Sequence, residues 1–242
     1  MQELSTITAV ILAGGLGKRL RESVSDRSKV MAEISDRPFM TYLLDQLAGE
    51  GIKNVVLCTG YMADSISNKV GNSYNGMKIT YSKENTPLGT GGALRLAVST
   101  LDLDHILVMN GDSYIDVDLN QFFSWHLING CLASIVLVRV DNVGRYGKVV
   151  FNEKDGRILS FDEKCHGSGV GWINAGIYLL SNEILKYLKK NTSTSLEKNL
   201  LPSLIGKGLY GYCSKGNFID IGTQESLVEA ESFFSKIDIH RD

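Results

Sequence analysis

The chain has 242 residues, 43% of them hydrophobic, which is enough for one large α/β domain around a single core. Its formal net charge is −2 with lysines and arginines scattered, which excludes the basic field that nucleic acid or an anionic membrane surface requires. Any phosphate ligand must then be held by a local constellation of residues.

The chain opens with a short apolar run, Ile7 to Leu12, inside the stretch Thr6 to Leu20, TITAVILAGGLGKRL. Preceded by Glu3 and too short for a signal or spanning helix, this run points to a cytosolic protein. It stops at Ala13, Gly14 and Gly15, and Gly17, Lys18, Arg19 and Arg21 follow, the pattern of a strand delivering a phosphate-binding loop. Glycines let backbone N–H groups approach an anion, and Arg19 adds a planar fork suited to phosphate oxygens. The plainer alternative is a strand-to-helix turn with solvated basic residues. Neither of two common glycine loops fits: a GxGxxG aligned on Gly15 and Gly17 meets Leu20 at its third glycine, and a P-loop meets Leu12 at its first.

From Glu22 to Ile34 the chain reads as a loop continuing the site. Ser35 or Asp36 is expected to cap a helix holding Pro38 in its first turn and Phe39, Leu43, Leu44 and Leu47 on its apolar stripe, ended by Gly49 and Gly51. A buried strand at 53–59, a short helix at 63–70 and a strand at 77–82 continue a βαβ alternation, with ligands expected at the carboxyl ends of a mostly parallel sheet. Gly89 to Gly92 is expected to open a helix over 93–100 and to aim its N-terminal dipole at the same edge. The strand at 105–109 ends at Asn110, Gly111 and Asp112, which puts a carboxylate at that edge; helix capping is the alternative role for Asp112.

A helix is expected at 118–129, a buried strand at 133–140, and a hairpin whose arms flank Asn152 to Gly156. Glu163 and Lys164 follow its second arm, and a strand at 172–180 carries Asn174 and Gly176, the glycine read as admitting a ligand. Helices at 181–190 and 195–205, strands near 208–213 and 217–221 and a helix from Gln224 complete the reading, with Asp220 at a strand end. Asp112 and Asp220 are hard oxygen donors of the kind Mg²⁺ takes alongside substrate phosphates, and Lys29 and Lys164 are isolated cations. Cys58, Cys131, Cys165 and Cys213 are widely separated, with neither zinc spacing nor a disulfide framework, and are read as reduced thiols. Cys165 and His166 are set aside as a thiol or metal pair, because adjacent residues on an extended segment face opposite ways.

LAGGLGKRL resembles the signature loop LAGGxGTRL of the sugar-phosphate nucleotidyltransferases, with Lys18 in place of the usual Thr. SKVM, PLGTGG, NGDS, YGKV, FDEK, INAGIY and FIDIGT follow in the order that family has them, so the resemblance covers about residues 6 to 230. Ser28 and Val30 stand where relatives carry proline.

The resemblance implies an α/β, single-domain, Rossmann-like fold of the glycosyltransferase-A type: a mostly parallel mixed sheet with helices on both faces and a small β-rich sugar-binding lobe. The nucleotide half is expected over about 1–140 with the C-terminal segment, and the sugar lobe over about 141–180. The implied partners are a nucleoside triphosphate and a sugar 1-phosphate, with Mg²⁺ as cofactor, no nucleic acid, no membrane and room for a homo-oligomer. Catalytic roles are implied for Arg19, Lys29, Asp112, Lys164 and Asp220, the two aspartates holding the metal. Leu12, Ala13, Gly14, Gly15, Gly17, Lys18, Arg19, Lys29, Glu84, Pro87, Gly89, Thr90 and Gly111 are expected around the nucleotide. Gly147, Glu163, Lys164, Asn174 and Gly176 are expected around the sugar.

Glu84 stands just before the loop that the resemblance places along the nucleobase, and there it argues for GTP, since a carboxylate accepts from both N1–H and the N2 amine of guanine, whereas uracil and thymine alternate acceptor and donor; an exposed loop glutamate is the alternative. The resemblance implies a heptose 1-phosphate as the acceptor, with mannose 1-phosphate or another hexose 1-phosphate as the alternative. A catalytically silent nucleotide-sugar sensor is the reading outside the enzymes, and it is expected to have lost the charged residues that this chain keeps. The chain is also expected to lack the C-terminal β-helix domain of many relatives.

Overall fold

The computed structural model describes residues 3–15, 28–60, 62–99, 101, 103–162, 169–189 and 192–238. The first apolar run forms β1 (Thr8–Leu12), whose side chains alternate across the sheet: Ala9 and Ile11 enter one core and Val10 the other. After a 3-10 turn at Lys29–Met31, β2 (Glu33–Ile34) and β3 (Arg37–Pro38) make a short hairpin. Ser35 and Asp36 are its turn, with φ of 50° and 62°, and do not cap the next helix. Positive φ at both central residues matches the twist of a two-residue hairpin, and tertiary pairing here overrides their capping preference. Helix α1 (Phe39–Gly49) starts directly after Pro38 and buries Phe39, Leu43, Leu44 and Leu47 as the stripe predicts.

The chain continues through β4 (Asn54–Thr59), α2 (Ala63–Val70), β5 (Ser73–Tyr74), β6 (Met77–Lys83), α3 (Gly89–Ala97), β7 (His105–Asn110) and β8 (Ser113–Ile115). Then come α4 (Leu119–Ile128), β9 (Ala133–Val140), β10 (Lys148–Phe151), β11 (Ile158–Asp162) and β12 (Gly171–Ser181). Helix α3 differs from expectation in taking in all four residues Gly89–Gly92 as its first turn rather than beginning after them. The two helices expected at 181–190 and 195–205 are a 3-10 helix, Asn182–Tyr187, and a π turn, Leu196–Leu200, that runs into the short α5 (Leu201–Ser203). Pro202 lies within that short helix, close to its start, where a missing N–H is tolerated. Strands β13 (Leu209–Ser214) and β14 (Phe218–Asp220) and helix α6 (Gln224–Asp238) follow.

Eight of the described strands form one sheet in the order β13-β9-β12-β7-β1-β4-β6-β5. β7, β1, β4 and β6 run parallel, so their carboxyl ends share one edge. β12 runs antiparallel between β7 and β9, with Ile177 opposite Met109 and Ser181 opposite His105. Its first half therefore returns to the edge where β7 ends. One face is covered by α1, α2, α4 and α6 and the other by α3 and residues 196–204. Among the described residues no helix is long and apolar enough to cross a membrane.

Candidate active site

Three strand ends and a small hairpin assemble the site. At the end of β1 the ladder persists one residue further, Ala13 N–H donating to Cys58 O at 2.9 Å, before Gly14 and Gly15 leave the sheet. Gly14 leaves room for a close neighbour: a Cβ there would stand 3.0 Å from Glu84 Oε1. That glutamate lies across Gly14 and Gly60, held by its own N–H on Thr59 O at 2.9 Å and by Leu88 N–H on Oε2 at 3.0 Å. On the other side of β1, Gly111 N–H donates to Leu12 O at 3.0 Å, which carries the turn after β7 over the end of β1.

That turn presents Asp112. Lys29 Nζ donates to Asp112 Oδ2 at 2.6 Å, with the lysine side chain 16% exposed and the aspartate 47%. The strand β8 follows Asp112 directly and α4 is capped by Asp118, so Asp112 caps no helix. Val30 packs against Gly111, so the short turn carrying Lys29 is seated on the strand end that carries its partner.

Asp220 reaches the same edge through an element that periodicity did not reveal. The three-residue strand β8 pairs antiparallel with β14, setting Asp220 opposite Ser113, and Ile221 N–H donates to Asp112 O at 2.9 Å. Both Asp220 oxygens accept from Arg145 Nη2 at 3.1 Å, Oδ1 also accepts Gly222 N–H at 2.8 Å, and the Tyr146 hydroxyl donates to Oδ2. Burial, and after it the bond to Asp220, push the Tyr146 phenol above its ordinary range, so it remains a donor. Arg145 and Tyr146 were missed in the sequence, although YGKV marked their neighbourhood. Their partner lies 75 and 74 residues away, beyond any local pattern.

Other expected residues occupy less direct positions. The amides of Gly91 and Gly92, expected to aim the helix dipole at this edge, donate to Thr194 O at 2.8 and 3.2 Å, and Thr90 Oγ1 is engaged by Glu197 and by Leu196 N–H. The first turn of α3 is thus capped by the protein itself. Gly89 has φ +69° and Pro87 is exposed just before it. Gly176, read as admitting a ligand, has φ +83°, and the space beside it is filled by Ser113 Oγ, 2.5 Å from where a Cβ would stand, and by Asn110. Asn174 spans the bulge of β12, its Oδ1 accepting Gly176 N–H at 2.9 Å. Gly147, with φ +85°, turns the chain into β10. Gly17, Lys18, Arg19, Glu163 and Lys164, and with them Cys165 and His166, lie outside the described residues.

Among the described residues no cluster of three or more His, Cys, Asp or Glu side chains is arranged to hold a metal by itself. Two hard carboxylates on one edge nevertheless fit an ion that keeps waters and substrate phosphates as its remaining ligands. An edge carrying a glycine turn, a lysine and these aspartates is suited to chemistry at phosphorus, which relies on positioning and charge neutralisation.

The fold and this edge define a nucleotide-dependent transferase. The family model described as nucleotidyl transferase matches residues 8–237, and the chain belongs to that family. It is 37% identical over 224 residues to the D-glycero-alpha-D-manno-heptose 1-phosphate guanylyltransferase of Aneurinibacillus thermoaerophilus, covering 92% of this chain and 96% of that one. It is 33% identical over 230 residues to the mannose-1-phosphate guanylyltransferase of Mycobacterium tuberculosis, covering 93% of this chain and 64% of that longer one. The crystal structure of HddC from Yersinia pseudotuberculosis complexed with GMP-PN superposes with a TM-score of 0.83 at 34% identity, covering 95% of this chain and all of that one.

Proposed function

We propose that this chain transfers GMP from GTP to D-glycero-α-D-manno-heptose 1-phosphate, giving GDP-heptose and pyrophosphate. The observation that carries the reading is the edge on which the Lys29–Asp112 pair and Asp220 meet beside the glycine turn after β1. The likeness to the heptose 1-phosphate enzyme over nearly the full length of both chains supports the acceptor. An oxygen of the sugar phosphate forms the new bond to the α-phosphorus. The bond from that phosphorus to the bridging oxygen breaks, and its electron pair leaves on pyrophosphate. The attacking oxygen is already ionised, so the chain need not supply a general base.

Its work is orientation and charge. Arg19 with the glycine turn holds the triphosphate, and Lys29 neutralises charge beside it. Lys164 clamps the sugar phosphate, and Glu163 with Gly147, Asn174 and Gly176 lines the sugar pocket. Asp112 and Asp220 would hold Mg²⁺, which would supply charge neutralisation and orientation for the phosphates. Glu84 reads the guanine edge. Dependence on GTP fits a cytoplasmic site of action.

Mannose 1-phosphate is the second acceptor reading, favoured by the likeness to the mycobacterial guanylyltransferase. Incubation with GTP, Mg²⁺ and either sugar phosphate, with the product weighed by mass spectrometry, separates the two. GDP-heptose formed with the higher kcat/KM is the expected result. GDP-mannose alone transfers the assignment to the second reading, and no nucleotide sugar from either acceptor overturns both.

A further inference from the structure

Residues 192–200 run behind the first turn of α3 and tie it to β12. Thr194 N–H donates to Leu88 O at 2.9 Å, adding to the two amides its carbonyl receives from α3. Leu196 N–H donates to Thr90 Oγ1 at 2.8 Å, and the Thr90 hydroxyl donates to Glu197 Oε2 at 2.9 Å. Ser195 Oγ donates to the same oxygen, also at 2.9 Å. The other oxygen, Oε1, accepts the Tyr178 hydroxyl at 3.2 Å. Tyr178 is fully buried in β12, and its oxygen accepts Asn174 Nδ2 at 2.9 Å.

Direction is what makes this chain of bonds informative. A carboxylate only accepts, and each hydroxyl has one proton to give. Thr90, Ser195 and Tyr178 therefore all spend their protons on Glu197. With its proton committed, the Tyr178 oxygen can only accept, so Asn174 must turn its amide nitrogen toward it and its oxygen toward Gly176 N–H. Burial and the neighbouring Glu197 charge push the Tyr178 phenol well above its ordinary range, which keeps it a donor.

We infer that Glu197 is a positioning residue which fixes, through these directed hydroxyls, both the first turn of α3 on the nucleotide side and Asn174 on the sugar side. The inference rests on the assignment of those two sides under the guanylyltransferase reading. A single half-buried carboxylate so placed makes the geometry of each half-site depend on the other.

Glu197→Gln preserves shape but leaves one acceptor oxygen for three hydroxyls and adds a donor facing Tyr178 or Thr90. Steady-state kinetics of pyrophosphate release should then give a KM raised about tenfold for both GTP and the sugar 1-phosphate, the size expected for one misdirected hydrogen bond. Tyr178→Phe leaves the α3 side of Glu197 in place, removing the arm to Asn174 together with the longer bond that Asn110 Nδ2 donates to the same hydroxyl at 3.5 Å, and should raise the sugar-phosphate KM far more than that for GTP. The sugar-side effects of the two substitutions should combine less than additively, since they break one path. A Glu197→Gln protein that loses thermal stability or active fraction while both KM values stay within twofold overturns the inference. Should that variant fail to fold, an unchanged sugar-phosphate KM in Tyr178→Phe overturns it instead. A wild type that releases no pyrophosphate from any nucleotide and sugar-phosphate pair defeats the reading of the reaction, and amide hydrogen exchange of the ligand-free protein then decides. Glu197→Gln, or Tyr178→Phe in its place if it does not fold, should speed exchange at 174–176, and Glu197→Gln should do so at 89–92 as well; no change at 174–176 contradicts the inference.

Discussion

Glu84 is held in one orientation by the backbone around it. Its Oε2 is fixed by Leu88 N–H, and its Oε1 lies over Gly14 and Gly60 at the edge where β1 and β4 end. In Glu84→Gln the amide oxygen is held on the Leu88 side, because only an oxygen accepts that bond, and the amide nitrogen is turned to the Oε1 position. A donor would then meet the two donors of guanine. The expected outcome is a fall of at least tenfold in kcat/KM for GTP and a smaller change for UTP, because a site built for particular polar partners rejects mismatches strongly. An unaltered nucleotide preference, measured with both triphosphates at one acceptor concentration, contradicts the role. The residue itself was legible as a lone carboxylate before PLGTGG, but its seat depends on the pairing of β4 with β1 and β6 and was not. Lys29, Asp112 and Asp220 were legible because each interrupts an apolar or motif-bearing run. Arg145, Tyr146, Tyr178 and Glu197 were not, because their roles come from partners distant in sequence or from the direction of a shared proton.

At the scale of elements, β12 and α4 carry separate expectations. Gly176 sits in β12 with φ +83° and Ser113 Oγ 2.5 Å from where a Cβ would stand, so Gly176→Ala meets both a backbone and a steric penalty. A loss of about 1–3 kcal/mol in urea unfolding is expected, with disturbance concentrated where β12 meets β8. Unfolding free energy equal to that of the wild type contradicts this account of the glycine. On α4, His126 is fully buried, its Nδ1 2.6 Å from Ser134 Oγ, with the His105 ring edge-on at 5.2 Å. Burial, and after it the neighbouring His105, lower its pKa from 6.5 to about 3. The unfolded chain therefore binds a proton that the folded chain refuses. Its contribution to stability is complete above pH 6.5 and declines as pH falls toward 3, with a slope of up to about 1.4 kcal/mol per pH unit. Chemical denaturation between pH 7 and 4 should give a shallower dependence in His126→Gln than in the wild type; parallel curves contradict the assignment. Element existence was readable from apolar runs and punctuation, as the close agreement at β9 and α2 attests. The hairpin at Ser35 and Asp36, the inclusion of Gly89–Gly92 in α3 and the short strand β8 were not, since each is decided by tertiary partners rather than by local preference.

Across the whole molecule, the arrangement turns on β12, which runs antiparallel to both of its neighbours, β7 and β9. β7, β1, β4 and β6 deliver their carboxyl ends to one edge, and β12, running the other way, returns Asn174 and Gly176 to it. The β8–β14 pairing then closes the edge by bringing Asp220 beside the segment that carries Asp112. Alternation of strands and helices made the parallel part and the edge at its carboxyl ends legible. The reversal at β12 was not, because a buried strand reads alike in either direction. Under the proposed reaction Asp112 and Asp220 work together at this edge, and the turnover of Asp112→Asn at saturating Mg²⁺ is the decisive measurement. The substitution keeps the shape of the side chain and removes its charge, leaving Lys29 without its anion. Pyrophosphate release should fall by about 10²–10³ in kcat, the usual size of losing electrostatic stabilisation at a reacting centre, while circular dichroism and thermal unfolding remain those of a folded protein. Turnover within a few-fold of the wild type in that folded variant would contradict this joint role.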